Sequence, residues 1–300
     1  MTTGPTPLEK TDLLQATFLI PLRIESADRM RNIITSLVYL CRNFRTTIIV
    51  KEVDKESIFE KSVLPQLAQV LAADELDCIT HIFEQSDEYT FHRTRIINDM
   101  VMEAETPVVV NYDSDVFLPK LSYVAAVDYI VNGWVNPDQP DAPREPIKCV
   151  YPYGYGDYQW QITADDETIS EFINTNFNLE CFEGKSRKWD AKYGFCQFFD
   201  REEYIRLGME NENFVSYGYE DDERYMRFNT LSQVLRHNDV IYHLEHTRTS
   251  NSWFNNPHIE NNRQLWETLG VMNKEKLAEY YENVEYMNAR RGQEQVSIEA

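Results

Sequence analysis

The chain has 300 residues, of which 42% are hydrophobic, and this is enough to form a substantial core in one large or two closely packed domains. Its formal net charge of −21 argues against nucleic acid or an anionic membrane as a partner, so an anionic ligand would need a metal ion or locally placed arginines. The sequence has no apolar run of about 18 residues and predicts no membrane span, and its five scattered cysteines are typical of reduced thiols in a cytoplasmic protein.

Short apolar runs alternate with amphipathic segments between residues 15 and 113. Strands are predicted at 18–22, 46–50, 77–83 and 107–110, and helices at 27–42, 52–73 and 93–104. Strands that alternate with helices in this way predict an α/β fold, with a Rossmann-like, mostly parallel sheet flanked by helices. Residues 1–14 are predicted to be a flexible tail.

The second half of the chain has a different character. Residues 133–165 are rich in Pro, Gly, Tyr and Trp, which predicts either substrate loops or a β-rich insertion whose aromatic rings pack together. A capping pattern at residues 200–203 predicts a helix that stops at Gly208. A helix is also predicted from Glu220 to about residue 235, followed by a strand at 240–242 and a charged helical extension at 258–291.

The segment Asp113-Ser114-Asp115 is the most informative in the chain. It follows the apolar run 107–110, which reads as a buried parallel strand, and the carboxyl ends of such strands are where open α/β sheets bind ligands. Alternate side chains of an extended chain point the same way, so Asp113 and Asp115 are expected to converge on one ligand. A hard divalent ion is the simplest bridge between two carboxylates. The alternative is an ordinary strand-end turn, where Asp and Ser are common.

Four consecutive acids, from Glu220 to Glu223, open a predicted helix directly after the aromatic-Gly-aromatic segment 217–219. Acids at a helix N-terminus interact well with the helix dipole, which explains part of this cluster. Aromatic faces also stack on sugar rings, and carboxylates accept hydrogen bonds from sugar hydroxyls. The segment is therefore a candidate sugar-binding site, in which one carboxylate held against an acceptor hydroxyl acts as general base.

Two histidines, His243 and His246, follow the strand predicted at 240–242. Imidazole is a common ligand of borderline divalent ions such as Mn²⁺, and a spacing of three residues suits two ligands across a turn. Two surface histidines are the alternative. The metal interpretation is strengthened because the carboxylate pair needs further ligands.

Arg93 begins the predicted helix 93–104, although a cation at a helix N-terminus opposes the dipole. An arginine at the ligand edge of the sheet offers bidentate donors for a phosphate, which is one explanation for its position. A solvated helix start is the alternative.

Six short segments of this chain occur in a specific order. They are Pro21-Leu22-Arg23, residues 91–98, Asp113-Ser114-Asp115, residues 194–204, residues 217–223, and residues 243–248. Taken together over residues 17–252, they resemble the motifs of the β-1,4-galactosyltransferase family, which are inverting glycosyltransferases of the GT-A fold. Each segment is a weak match alone, whereas six in the same order are specific.

This resemblance implies a GT-A fold, a nucleotide-sugar donor that is expected to be a UDP-sugar, and an oligosaccharide or glycan acceptor. It implies Mn²⁺ as cofactor, with Mg²⁺ as the alternative. For the donor, the resemblance implies nucleotide contacts by Pro21, Arg23 and Arg93 and a position of Asp113 near the ribose or diphosphate. For the metal, it implies binding by His243, His246 and Asp115, and Asp115 is also expected to bind the donor. For the acceptor, it implies binding by Tyr219, Glu220 and Asp222 and a catalytic base at Asp221.

Other functions would use the same residues. A retaining GT-A transferase shares the donor site and differs in the anomeric configuration of its product. A non-catalytic carbohydrate-binding protein would use the aromatic segment 151–160. A metallohydrolase would use the two aspartates and two histidines without a sugar acceptor.

The expected organisation is a glycosyltransferase domain at 15–257 and a C-terminal helical extension at 258–300. Within the domain, residues 15–120 are expected to bind the nucleotide, and residues 121–257 to hold the acceptor and the metal. The galactosyltransferases are anchored in the Golgi, whereas this chain shows no anchor, so a cytoplasmic location is expected.

Overall fold

The computed structural model describes residues 9–248 and 255–291. The first part of the chain forms β1 (Thr11–Leu22), α1 (Ala27–Asn43), β2 (Phe44–Asp54), α2 (Leu64–Val70), α3 (Ala73–Leu76), β3 (Ile79–Gln85), α4 (Arg93–Glu103), β4 (Val108–Tyr112), β5 (Val116–Phe117) and α5 (Lys120–Asn132). The second part forms β6 (Cys149–Tyr151), β7 (Gln159–Ile162), α6 (Asp166–Asn174), β8 (Ser186–Lys188), β9 (Cys196–Asp200), α7 (Arg201–Arg206), α8 (Glu220–Leu231), β10 (Val234–Arg236), β11 (Ile241–Leu244), α9 (Ile259–Gly270) and α10 (Lys274–Asn283).

Within the described residues, seven strands form a central sheet in the order β10-β6-β9-β4-β1-β2-β3. β1 pairs in parallel with β2 and β4, β2 with β3, and β6 with β10. Only β9 runs antiparallel to its neighbours, β4 and β6. The mostly parallel α/β architecture predicted from the alternating strand and helix patterns is therefore confirmed.

β4 lies inside this sheet and explains why its sequence is a continuous apolar run. The side chains of Val108, Val109 and Val110 have no exposed surface, because β1 and β9 flank the strand and helices cover the sheet. β4 runs parallel to β1, so the carboxyl ends of the two strands meet at one edge. Asp113 and Arg23 follow these two ends.

A smaller sheet in the described part of the chain has the order β5-β11-β7-β8. β5 pairs antiparallel with β11, with Val116 opposite His243 and Phe117 opposite Tyr242. β11 also pairs in parallel with β7. This sheet brings the chain that leaves Asp115 directly beside the strand that carries His243.

Several element boundaries differ from the sequence predictions. β1 begins at Thr11, inside the predicted flexible tail, and residues 1–8 lie outside the described part of the chain. The helix predicted at 52–73 is helical only over 59–70, as a π-helical turn (Phe59–Val63) followed by α2, because β2 extends through Asp54. The charged residues at the start of that segment were wrongly predicted to lie on a helix. Glu52 is instead buried, and its carboxylate caps the following turn by accepting hydrogen bonds from Ser57 Oγ and the Ile58 amide.

The predicted C-terminal helical extension corresponds to α9, α10 and a further helical segment at 285–291. α9 and α10 both contact α8, and Leu277 and Tyr281 of α10 are buried there. Over the ranges 9–248 and 255–291, none of the helices has the length and apolar character needed to cross a bilayer.

Candidate active site

The two carboxylates of the Asp-Ser-Asp segment do not share a partner. Asp113 accepts a hydrogen bond from Arg93 Nη2 at 2.7 Å and another from the Phe195 amide at 3.2 Å. Asp115 faces two histidines instead. The turn after β4 therefore gives the two side chains different protein partners, and their convergence on one ligand stays a prediction.

Asp115, His243 and His246 form a compact three-ligand group. Asp115 Oδ1 lies 3.5 Å from His243 Nε2, and Asp115 Oδ2 lies 3.4 Å from His246 Nε2. The pairing of β5 with β11 produces this proximity, and the Leu244 amide donates a hydrogen bond to the Asp115 carbonyl at 2.8 Å. These are the three residues that the sequence resemblance proposed as metal ligands.

The chemistry of this group fits a divalent ion. One candidate ligand atom from each of the three residues lies within 4.8 Å of the others. Asp115 Oδ1 is buried and, among the described residues, has no hydrogen-bond partner, so the carboxylate has an unused acceptor. One carboxylate and two imidazoles suit Mn²⁺ better than Mg²⁺, which prefers oxygen ligands.

Asp115 and His243 shift each other's pKa in opposite directions. Burial would raise the pKa of Asp115, but the neighbouring His243 and His246 outweigh this effect and hold it below its usual value. Burial would lower the pKa of His243, but Asp115 outweighs it and raises that pKa. Each group thus stabilises the charged form of the other.

Arg93 connects Asp113 to the predicted catalytic base. Its Nη2 binds Asp113, and its Nη1 lies 3.9 Å from Asp221 Oδ1. Burial raises the pKa of Asp113 above its usual value, and the positive charge of Arg93 offsets only part of that effect. The unusual cation at the start of α4 is therefore explained by two acidic side chains that approach it from β4 and α8.

Asp221 lies at the start of α8 and is held in place from two sides. Arg224 Nη2 donates a hydrogen bond to Asp221 Oδ1 at 2.6 Å. Asp221 Oδ2 lies so close to Gly194 that a Cβ at this position would be 3.1 Å away, which explains why the residue opposite the carboxylate has no side chain. Gly194 belongs to one of the six segments that carry the family resemblance.

The other predicted acceptor residues surround Asp221 in sequence and have distinct environments. Tyr219 precedes α8 with φ +69°, a left-handed conformation that sharply turns the chain into the helix. Glu220 is buried and accepts a hydrogen bond from the Gly218 amide at 2.5 Å, and burial followed by the charge of Asp221 raises its pKa to about 8. The same two causes raise the pKa of Asp222.

The predicted nucleotide contacts Pro21 and Arg23 lie at the carboxyl end of β1. Pro21 is opposite Lys51 of β2. Arg23 donates to the carbonyls of Val53 at 2.8 Å and Tyr89 at 3.0 Å, and its guanidinium lies 5.2 Å from the centre of the Phe91 ring. Arg23 therefore joins three segments at the ligand edge of the sheet.

Two charged residues beside the site, Arg224 and Glu210, were not predicted from the sequence. Arg224 has no exposed surface and binds both carboxylate oxygens of buried Glu210 at 2.9 Å. Glu210 also accepts hydrogen bonds from Asn111, at 2.9 Å, and from Tyr204. The sequence could have indicated the pairing of Arg224 with Asp221, since residues three apart on a helix share a face.

Arg29, in the first turn of α1, is a further cation near the metal-ligand group. Its Nε is buried without a hydrogen-bond partner in the described ranges. Its positive charge helps to lower the pKa of Asp115 and opposes part of the rise in the pKa of His243. The sequence offered no motif for Arg29, because its neighbours in the site come from more than 80 residues further along the chain.

The aromatic segment predicted to be either substrate loops or packed insertion is divided between the two. Tyr151 and Tyr153 are buried, whereas Tyr155 and Tyr158 are exposed. The guanidinium of Arg236 lies within 6 Å of five tyrosine rings, namely those of Tyr151, Tyr153, Tyr155, Tyr193 and Tyr225. Tyr193 precedes Gly194, so this cluster borders the loop that packs on Asp221.

No protein-family model matches the sequence, and no curated protein matches it. Among solved structures, GalNAc-T7 with UDP, GalNAc and Mn²⁺ is 11% identical and aligns with 90% of this chain and 55% of its own at a TM-score of 0.51. The catalytic domain of Drosophila β1,4-galactosyltransferase 7 with xylobiose is 12% identical, with coverages of 86% and 79% and a TM-score of 0.42. The Pyrobaculum calidifontis mannosyltransferase PcManGT, with GDP-Man and Mn²⁺, is 14% identical, with coverages of 81% and 59% and a TM-score of 0.44.

The similarity to GalNAc-T7 shows that this chain has the GT-A fold found in glycosyltransferases, which confirms the fold class expected from the sequence. The chain spans a little more than half of the GalNAc-T7 chain and 59% of the mannosyltransferase chain.

Proposed function

We propose that this chain is a metal-dependent inverting glycosyltransferase, which moves a sugar from a nucleotide diphosphate donor, expected to be a UDP-sugar, to a hydroxyl of an oligosaccharide or glycan. The observation that carries the proposal is the convergence of Asp115, His243 and His246 at the carboxyl edge of the central sheet of a GT-A fold. A second acidic residue, Asp221, lies near Asp113, because the guanidinium of Arg93 approaches both carboxylates. This arrangement supplies both a donor site and a base.

On the donor side, Asp115, His243 and His246 would hold Mn²⁺, with Mg²⁺ as the alternative. The bound ion supplies positive charge that offsets the charge developing on the leaving diphosphate. Pro21, Arg23 and Arg93 are proposed to contact the nucleotide, with Asp113 near the ribose or diphosphate. This local positive charge explains how a chain with a net charge of −21 binds an anion.

On the acceptor side, Asp221 would accept the proton of the acceptor hydroxyl. The hydroxyl oxygen then forms a bond with the anomeric carbon while the bond between that carbon and the diphosphate oxygen breaks. One displacement from the opposite face inverts the anomeric configuration. Arg224 orients the Asp221 carboxylate, and Tyr219, Glu220 and Asp222 are proposed to contact the acceptor sugar.

The donor site is tested by thermal unfolding of the full chain with a panel of nucleotides and nucleotide sugars, each in Mn²⁺ and in EDTA. A ligand that binds only the folded protein raises the unfolding midpoint by mass action. We expect UDP or one UDP-sugar to raise the midpoint in Mn²⁺ and not in EDTA. A nucleotide panel with no shift for a folded sample would contradict the proposal.

The base is tested by Asp221→Asn, which keeps the shape of the side chain and removes its ability to take a proton at neutral pH. We expect transfer to fall about 10²- to 10⁴-fold while the donor-dependent thermal shift is retained. Asp222→Asn is the matched comparison, because it changes the adjacent acid on the same helix and is expected to act mainly on the acceptor KM. Full activity of Asp221→Asn would place the base elsewhere.

The stereochemistry is tested by following the anomeric proton of the first product by NMR. An α-linked donor is expected to yield a β-linked product. A product that keeps the donor configuration would indicate a retaining transferase with the same donor site.

We also propose that residues 15–257 are the glycosyltransferase domain, with the nucleotide-binding half at 15–120 and the acceptor and metal half at 121–257. Two facts support this division. The central parallel strands β1 to β4 lie in the first half, and both candidate histidine ligands and Asp221 lie in the second. The extension at 258–300 is proposed to support α8 through α9 and α10.

A further inference from the structure

A polar stripe runs along one face of α1. Asp28, Asn32 and Ser36 are spaced by four residues and therefore lie one above another on the helix. Asn32 and Ser36 have no exposed surface, whereas Asp28, at the N-terminal end of the stripe, is partly exposed. Buried polar groups need hydrogen-bond partners, and the partners of all three belong to the segments that carry the candidate metal ligands.

The C-terminal member of the stripe holds the Asp-Ser-Asp segment. Ser36 Oγ donates a hydrogen bond to the carbonyl oxygen of Ser114 at 2.9 Å. Ser114 lies between Asp113 and Asp115, so this bond fixes the turn that sends the two carboxylates to different partners. The stripe thus contacts the backbone of the segment that carries Asp115.

The other two members hold the histidine segment. Asn32 Nδ2 lies 3.4 Å from the carbonyl oxygens of both Leu244 and Glu245, at the end of β11. Asp28 Oδ2 accepts hydrogen bonds from the amide of Thr247 at 2.5 Å and from its hydroxyl at 2.7 Å. α1 therefore binds the chain on both sides of His246.

Thr247 transmits this restraint to the His246 ring. Its carbonyl oxygen lies 3.1 Å from His246 Nδ1, and a carbonyl accepts a hydrogen bond only from a protonated nitrogen. The contact favours the tautomer in which Nε2 carries the lone pair, and Nε2 is the atom that faces Asp115 at 3.4 Å. His246 lies beyond the end of β11, so sheet pairing does not fix it as it fixes His243.

We propose that α1 is the positioning element of the metal site and that Asp28 is its key positioning residue, because it holds Thr247 and through it sets the tautomer and orientation of His246 for a divalent ion. This inference rests on the metal site of the proposed function. A group that hydrogen-bonds to a metal-binding histidine orients its ring, and the loss of such a group weakens metal binding about 10- to 100-fold. Asp28 acts on such a group, because it holds the residue whose carbonyl contacts His246.

The test is the Mn²⁺ dissociation constant of the full chain, measured from the EPR signal of free Mn²⁺ without any substrate. We expect Asp28→Ala to raise this constant about 10- to 100-fold. Asp28→Asn retains an oxygen that can accept a hydrogen bond from the Thr247 amide, so its affinity for Mn²⁺ is expected to lie between those of Asp28→Ala and the unmodified chain. Asp74→Asn is the matched control, since Asp74 is an exposed acid in the first turn of α3, and its dissociation constant should equal that of the unmodified chain.

A second readout separates positioning from simple loss of folding. With saturating Co²⁺ in place of Mn²⁺, the visible absorption bands report the ligand geometry of the folded fraction. We expect these bands to change in Asp28→Ala and Ser36→Ala and to be unchanged in Asp74→Asn. Unaltered spectra and an unaltered Mn²⁺ dissociation constant in Asp28→Ala would overturn the inference while leaving the metal site intact. A chain that binds no Mn²⁺, even before substitution, would overturn the metal site itself.

Discussion

At the scale of single residues, Asp113 and Asp115 show how two nearby carboxylates acquire different chemistry. Asp113 is paired with Arg93 and the Phe195 amide, whereas Asp115 is buried beside two imidazoles. Burial raises the pKa of Asp113, and the histidines reverse the same effect at Asp115. These contacts support the proposed role of Asp115 as a metal ligand and assign Asp113 to the orientation of Arg93.

These roles predict different losses for two matched substitutions. Asp115→Asn should abolish measurable Mn²⁺ binding, because it removes the anionic ligand from the three-residue group. Asp113→Asn should leave the Mn²⁺ dissociation constant within about threefold of the original and weaken UDP binding, because Arg93 loses its charged partner. EPR titration and calorimetry with UDP measure the two affinities, and equal loss of Mn²⁺ binding in both variants would contradict this division.

At the scale of elements, the acidic start of α8 is more than a favourable interaction with the helix dipole. Asp221 binds Arg224, Glu223 binds Arg227, and Glu220 accepts the Gly218 amide. Both arginines are on the same helix, three and four residues after their acids. The helix was predictable from its pattern, but the burial of its charged pairs was not, because burial depends on the segments packed around it.

Glu220 makes the stability of this element pH-dependent. The ordinary pKa of this carboxyl is 4.5, and in the fold it is about 8, so between these values the folded chain holds a proton that the unfolded chain has lost. Stability therefore falls as pH rises through this window, by at most about 1.4 kcal/mol for each pH unit. In Glu220→Gln the side chain cannot ionise, and it keeps an oxygen that accepts the hydrogen bond from the Gly218 amide.

We expect Glu220→Gln to gain stability relative to the original chain as pH is raised from 5 to 8 in EDTA. Urea unfolding at several pH values measures this difference. Glu88→Gln is the control, because Glu88 is exposed and its substitution should give a difference that does not vary with pH. A constant difference for Glu220→Gln would show that this carboxyl is ionised in the folded chain.

At the scale of the whole molecule, buried polar contacts tie the C-terminal helices to the candidate active site. Arg227 pairs with Glu223 in α8 and lies 4.3 Å from the ring centre of Tyr281 in α10. The Tyr281 hydroxyl donates to Glu223 at 2.6 Å and accepts from Asn211 at 2.8 Å. The helical extension therefore completes the hydrogen bonding of the helix that carries Asp221.

This connection predicts a stability loss from one hydroxyl. Tyr281→Phe keeps the ring beside Arg227 but removes one hydrogen bond to Glu223, which retains Arg227, and takes the acceptor away from buried Asn211 Nδ2, so the free energy of unfolding should fall by about 1–3 kcal/mol. Tyr280→Phe is the matched control, because the Tyr280 hydroxyl binds Asn213 at the exposed surface and its loss should cost less than about 0.5 kcal/mol. Urea unfolding measures both, and equal losses would contradict a buried role for Tyr281.

The sequence by itself determined the alternation of strands and helices as far as β4 and the buried character of that strand, because side-chain periodicity and apolar runs are local properties of the chain. Its resemblance to the β-1,4-galactosyltransferase family also predicted Asp115, His243 and His246 as metal ligands, and the fold brings these three side chains together. Only the tertiary structure decided which partner each polar group has. Asp28 and Thr247 are 219 residues apart, and Asn111 and Glu210 are 99 apart, so no local pattern connects them. Packing brings such residues together, and where they are buried, as Asn111 and Glu210 are, burial makes their hydrogen bonds obligatory.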